Sequence, residues 1–465
     1  MKSRVFNLIL GICLSVCCGA KVKLPAVLSD HMVLQQQEIV RLWGVSSACV
    51  TVEVSPSWDE KVYEAQSSSD GKWWVELETP SAGGPYVIRF NDGEIVELKD
   101  VYIGEVWLCS GQSNMEMPLK GYVGQPVSGS TETIADANPE WPIRLFTVER
   151  NPAEDVQEDC KGVWRSNTPE HAANFSAVAY YFGLRLFRSL RVPIGLVNAS
   201  WGASNIQTWM SAEALASYPE EVKKHSASAE VQKQASLLYN GMIHPLEHVV
   251  WKGVIWYQGE ANRKDAKMYK SLFPSFVKDW RQLFGQEQLP FYYVQIAPFG
   301  YGDPQAVESA LLREAQYDCE AIVPDVAMAV TMDIGNKTCI HPEKKKEVGD
   351  RLAFLALNKT YGESGIPAWS PRFSSVESKG NRMVLSFERV PMGLTSYGQP
   401  LRCFEIIDET GLHYVAQARI VGKDKVEVWN ERVDCPVAVR YAFRNFVQGD
   451  LFGVNGMPVS SFRTD

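Results

Sequence analysis

The segment Gly104-Glu105-Val106-Trp107-Leu108-Cys109-Ser110-Gly111-Gln112-Ser113-Asn114-Met115 joins an apolar run to a glycine-serine turn. Val106–Cys109 has the length and character of a buried strand, and it ends directly on Ser113, two residues after Gly111. In a sheet of parallel strands covered by helices, the carboxyl end of a strand is where a nucleophile is exposed. Met115 stands where the lipase-type elbow requires a second glycine, so that motif is excluded. A plainer alternative stands beside the catalytic one: Gly111 makes a tight turn and Ser113 caps the helix that follows.

On the carboxyl side of this segment, strand-like runs alternate with amphipathic helices. Strands are expected at Ile194–Ala199, Gly253–Tyr257, Phe291–Ile296 and Val326–Met332. Helices are expected at Phe175–Leu190, Ser275–Phe284 with Pro274 at its start, Ala306–Tyr317 and Glu343–Tyr361. That alternation predicts an α/β domain with a mostly parallel sheet and helices on both faces. On the amino side, Leu24–Glu97 shows alternating sets such as Trp73-Val75-Leu77 and Tyr86-Ile88-Phe90, punctuated by Asn91-Asp92-Gly93. This pattern predicts an antiparallel β-sandwich. Beyond Gly362 the β rhythm returns. The expected division is a signal peptide over 1–20, a β module over 21–100, a catalytic domain over 101–362 and a second β module over 363–465.

Lys2 and Arg4 precede an apolar run that closes on Gly19 and Ala20, the layout of a secretory signal peptide. The chain is therefore expected to be exported, into a bacterial periplasm. A lipid anchor at Cys17 and a eukaryotic secreted or lysosomal location are the alternatives. No later run is long enough to span a bilayer. Among 465 residues, 46 are basic and 55 acidic, a net charge of -9 without a basic tract, which argues against a nucleic-acid partner. Seven cysteines follow the signal peptide, an odd number whose spacing fits no zinc site and leaves room for one or two disulfides.

A serine nucleophile needs a base, and histidine fills that role near neutral pH. Of the seven histidines, His341 alone sits in a loop between an expected strand and helix at the end of the sheet. Asp333, at the preceding strand exit, is positioned to orient it, in the chain order Ser113, Asp333, His341. Two further loops offer oxyanion donors: Asn198–Gly202, where Gly202 allows close backbone approach, and Trp256–Asn262, with the amides of Gln258 and Asn262. A metallo-esterase built on His244 and His248 is a poor rival, because Pro245 intervenes and no third ligand presents itself.

Ser29–Gln35, Gly104–Met117, Ser200-Trp201-Gly202, Leu238–Ile243, Trp256–Asn262 and Ile340-His341-Pro342 together resemble the sialate O-acetylesterase family. The likeness extends over nearly all of the chain after the signal peptide. It implies an SGNH-hydrolase domain beside β-sandwich-like modules, and a serine esterase that removes O-acetyl groups from sugars without metal or organic cofactor. O-acetylated sialic acid is the implied substrate; acetylated plant polysaccharide such as xylan is the alternative. A glycan-binding protein without activity is the reading from another class.

Carried over by residue, Ser113 is the implied nucleophile, His341 the base and Gly202 the oxyanion glycine, with Gln112, Gln258 and Asn262 lining the site. The acid member is open. SGNH enzymes commonly carry aspartate three residues before the histidine, where this chain has Thr338. Asp333, Glu260 and a Ser–His dyad supported by a backbone carbonyl are the candidates.

Overall fold

The computed structural model describes residues 21–226 and 228–465, so the expected signal peptide lies outside the described residues. Its organising element is one long strand, Ile95–Gly111, with two sets of partners. The amino-terminal module supplies strands β1 (Val33–Gln35), β2 (Ile39–Val45), β3 (Thr51–Pro56), β4 (Tyr63–Gln66), β5 (Lys72–Glu78) and β6 (Gly83–Asn91); Ile95–Gly111 is β7. The first half of β7 pairs antiparallel with β6 and parallel with β1. Its second half lies between β10 (Ile194–Ser200) and β11 (Gly253–Tyr257), parallel to both. The division expected between residues 100 and 101 is thus a change of partners within one continuous strand. It welds the amino-terminal module to the central sheet.

The central sheet adds β8 (Ile143–Thr147), β9 (Trp164–Ser166), β12 (Phe291–Val294) and β13 (Val326–Ala329). Its order is β13-β12-β11-β7-β10-β8-β9, parallel throughout except for the edge strand β9. Alternate residues of its strands enter two separate cores, as the two-residue side-chain period requires. Trp107, Cys109 and Ile255 pack with helices Ala177–Leu190 and Lys345–Lys359 on one face. Val106, Leu108, Val254 and Trp256 face helix Ala266–Leu283 on the other, where Trp256, Phe276 and Trp280 form a fully buried aromatic cluster with ring centroids 4.5–5.9 Å apart. Helices cover both faces, and the carboxyl ends of β7, β10 and β11 open on one edge.

One helix departs from the sequence expectation. Pro274 does not begin a helix but lies inside Ala266–Leu283. Its ring removes the N–H that would bond the Lys270 carbonyl, and the buried Cys319 thiol, 4.0 Å away, faces that carbonyl instead. All seven cysteines of the described residues are free thiols, so the expected disulfides are not formed.

The carboxyl-terminal module has two four-stranded antiparallel sheets, one carrying Arg372–Lys379 and Arg382–Glu388, the other Phe404–Asp408 and Pro436–Tyr441. They meet through aromatic rings: Phe373 of the first stacks on Phe462 of the second at 4.5 Å. The module is anchored to helix Glu308–Ile322 by the fully buried Arg313, which donates to Ser461 Oγ at 3.1 Å and to the Arg444 carbonyl. No described helix is long and apolar enough to cross a membrane.

Candidate active site

Ser113 is the first residue of a one-turn helix, Ser113–Glu116, that starts where β7 ends. The turn between them depends on Gly111, whose φ of +142° and closeness to β11 leave no room for a side chain: a Cβ would lie 2.2 Å from the Tyr257 carbonyl oxygen. Helix Ala177–Leu190 is capped by Ser176, whose hydroxyl accepts from Ala179 N–H and donates to the Met115 carbonyl at 2.6 Å. The serine turn is thereby fixed from both sides. As the first residue of the helix, Ser113 has a backbone N–H with no intrahelical acceptor, the donor an oxyanion would use.

His341 lies in the loop between β13 and helix Lys345–Lys359. Asn114 ties this loop to the serine turn: its Nδ2 donates to the Ile340 carbonyl at 3.1 Å. His341 Nδ1 is 2.6 Å from Gln125 Oε1, and its ring meets the Tyr122 ring edge-on at 5.4 Å. Tyr122 and Gln125 are held together across Val123-Gly124 by reciprocal backbone hydrogen bonds of 3.0 and 2.9 Å. An amide oxygen only accepts, so Nδ1 carries the proton and Nε2 keeps its lone pair for a hydroxyl. Burial, and then the nearby Lys345 charge, push the His341 pKa down to about 4. The imidazole is neutral at neutral pH.

Asp333 is not brought to His341, whose Nδ1 meets Gln125 instead. Both Asp333 oxygens are engaged by Arg351, at 2.8 and 2.6 Å, on the helix that follows the His341 loop. A carboxylate beside a guanidinium forms the bidentate pair in preference to a single bond to a neutral imidazole. Glu260 does not meet His341 either. It is buried, and its Oε1 accepts from Asn114 Nδ2 at 2.6 Å. Burial raises its pKa, against the Asn114 hydrogen bond and the Lys345 charge.

The expected oxyanion donors are differently employed. Gly202 does reach the serine turn: a Cβ there would lie 3.3 Å from Ser113 Cβ. Its N–H, however, donates to Glu116 Oε2 at 2.9 Å. Glu116 Oε1 in turn accepts from Arg150 Nε at 2.9 Å, and the Arg150 guanidinium lies over the Trp201 ring. Gln258 spends its Nε2 on the Ser204 carbonyl and Asn262 Oδ1, at 3.1 and 2.7 Å. Asn262 Nδ2 donates to Gln207 Oε1 at 3.0 Å. Gln112 Oε1 accepts the Gly259 and Ala261 N–H groups at 3.3 and 3.2 Å. Through these bonds the three amides tie the loop after β11 to the serine turn and to the loop after β10.

His244 and His248 stand apart from this cluster. His244 Nδ1 meets the Gln157 carbonyl at 3.0 Å, and the His248 ring packs edge-on against Trp43. Among the described residues no group of three His, Cys, Asp or Glu side chains is placed to hold a metal ion.

The family model described as carbohydrate esterase, sialic acid-specific acetylesterase, matches residues 103–358. That span starts on β7 and ends within the helix after His341. The chain belongs to this family. It is accordingly a carboxylic ester hydrolase, as the resemblance in its motifs implied. The human sialate O-acetylesterase is 29% identical over 407 residues, covering 79% of this chain and 76% of the relative. The rat sialate O-acetylesterase is 29% identical over 426 residues, covering 77% of each. The crystal structure of a carbohydrate acetylesterase from Xanthomonas citri is 37% identical, with a TM-score of 0.88, over 96% of this chain and all of that one.

Several residues of this candidate site carried no sequence signal. Tyr122 and Gln125 fall in a glycine-rich stretch without periodicity, and Lys345 falls in the run Lys344-Lys345-Lys346. A charge run of that kind reads as a solvated helix start. Glu116 and Asn114 flank the serine within the motif, yet nothing in their spacing tells what they bind.

Proposed function

We propose that the protein is a serine esterase that removes O-acetyl groups from sugars through an acetyl-enzyme intermediate. The observation that carries this reading is the Asn114–Ile340 hydrogen bond of 3.1 Å, which holds the Ser113 turn against a neutral histidine. His341 Nε2 takes the Ser113 proton as Oγ attacks the acetyl carbonyl. The Ser113 N–H receives the developing negative charge. Gly202 N–H joins it once Glu116 turns away, because a carboxylate left there would repel an oxyanion. His341 then returns its proton to the departing sugar oxygen, and water repeats the sequence on the acetyl-enzyme. Gln125 takes the place of the usual acid, holding the tautomer without supplying a negative charge.

The family match supports O-acetylated sialic acid as the substrate. The second reading is acetylated plant polysaccharide such as xylan. Acetate release by the purified protein from O-acetylated sialic acid and acetylated xylan, run in parallel, separates the two. Release from sialate alone selects the first. Release from xylan alone selects the second, and release from neither defeats both. Export to a periplasm belongs to the same reading and rests on residues 1–20.

The buried histidine also fixes a pH dependence. Protonated imidazole cannot accept the serine proton, so kcat/KM falls as pH drops through the His341 pKa. The acid limb is expected near pH 4, well below the ordinary histidine value of about 6.5. A limb at or above 6.5 would contradict this site.

A further inference from the structure

Three side chains beside the catalytic pair form a buried polar cluster that the reaction does not use. Lys345, the first residue of its helix, is fully buried, and its ammonium donates to Asn114 Oδ1 at 2.5 Å. Asn114 Nδ2 is shared between Glu260 Oε1 at 2.6 Å and the Ile340 carbonyl at 3.1 Å. Asn114 therefore joins β7's turn, the loop after β11 and the His341 loop at one point. The groups facing Lys345 are Glu260 from the loop after β11, the Tyr257 ring at 5.7 Å, and Cys339, Glu343 and His341 from its own loop. Tyr122 faces His341 from the other side. A buried lysine is costly unless its charge has a task, and here its hydrogen bond goes to a neutral amide. A lysine that served the fold alone would be replaced at lower cost by an apolar residue.

We propose that Lys345 is a positioning residue: through Asn114 it locks the His341 loop onto the serine turn, and its charge adds to burial in disfavouring the His341 imidazolium. The proposal rests on His341 being the base. Burial presses the Lys345 ammonium down to about 7, against the pull of Glu260, Cys339 and Glu343. Lys345 follows His341 by four residues at the end of the same loop, and a cation there disfavours imidazolium by charge repulsion, adding to the larger effect of burial.

The test follows the His341 imidazole C–H signals by NMR titration in the parent, Lys345→Met and Lys345→Gln proteins, with His341→Asn identifying the signal. The glutamine variant keeps a donor for Asn114 Oδ1 without the charge. The parent midpoint is expected below the ordinary histidine value, and both variants are expected to raise it by ~1 pH unit. The acid limb of kcat/KM on 4-nitrophenyl acetate should move with it. A signal that does not move in a folded variant overturns the proposal, as does an ordinary midpoint in the parent. Failure of both variants to fold would make Lys345 a structural residue and overturn it as well. If His341→Asn hydrolysed the ester at the parent rate, the base assignment would fall. The titration would still report on Lys345.

Discussion

Ser113→Ala is expected to lower kcat for acetate release by at least ~10⁴-fold while leaving the fold and Tm in place. The size follows from the chemistry. Without Oγ there is no acetyl-enzyme, and what survives is the ability of Ser113 N–H and bound water to favour hydrolysis weakly. Retention of the fold follows from the site. The half-buried Ser113 hydroxyl is not what holds its turn; Gly111, Ser176 and Asn114 hold it through backbone packing and hydrogen bonds. The check is single-turnover and steady-state release from an acetylated sugar, with circular dichroism as the control for folding. Parent-like activity in the variant would remove Ser113 from the mechanism.

The second large effect separates Gln125 from Asp333. Gln125→Ala is expected to cost about 10²-fold in kcat, because His341 then loses the acceptor that fixes Nδ1–H and directs Nε2 toward the serine. The loss is smaller than for removal of a triad carboxylate, since a neutral amide does little to stabilise imidazolium. Asp333→Ala should act on stability instead. It strands the Arg351 guanidinium, which is 9% exposed, and breaking a pair of this kind costs about 3 kcal/mol. Urea unfolding and kcat per folded molecule, measured on both variants, check the assignment. A catalytic loss confined to Asp333→Ala, with Gln125→Ala neutral, would restore the aspartate as the orienting group. Gln125→Glu adds a sign test: a carboxylate at Nδ1 favours imidazolium, so the acid limb should move to higher pH.

Much of the fold was legible because hydrophobic period and turn chemistry are local. The alternation of Trp73-Val75-Leu77 appears as β5 with those residues buried. The runs at 194–199 and 253–257 are strands within a residue of their expected ends. The exceptions have long-range causes. Pro274 reads as a helix start, but packing of Phe273 and Phe276 in the aromatic core carries the helix through it. The boundary expected at residue 100 falls within β7, because a strand can exchange partners without any break in its own pattern.

The candidate site divides along the same line. Ser113 after Gly111 and Gly202 after a strand were readable as positions where the chain must turn, and His341 as the histidine of a loop that leads into a helix. What each group binds was not readable. Asp333 looked suited to His341 by position along the chain, yet Arg351, one helix further on, takes both its oxygens. Gln125, more than two hundred residues before His341, occupies the place that spacing gave to an acid. Gly202 N–H is held by Glu116, and Lys345, one of three consecutive lysines, is the one turned inward. The sequence by itself determined most of the strands and helices and the esterase family, because these follow from side-chain periodicity and short contiguous motifs. Only the tertiary structure decided the partners. Hydrogen bonds and charges act over a few ångströms in space, whatever the separation of the residues along the chain.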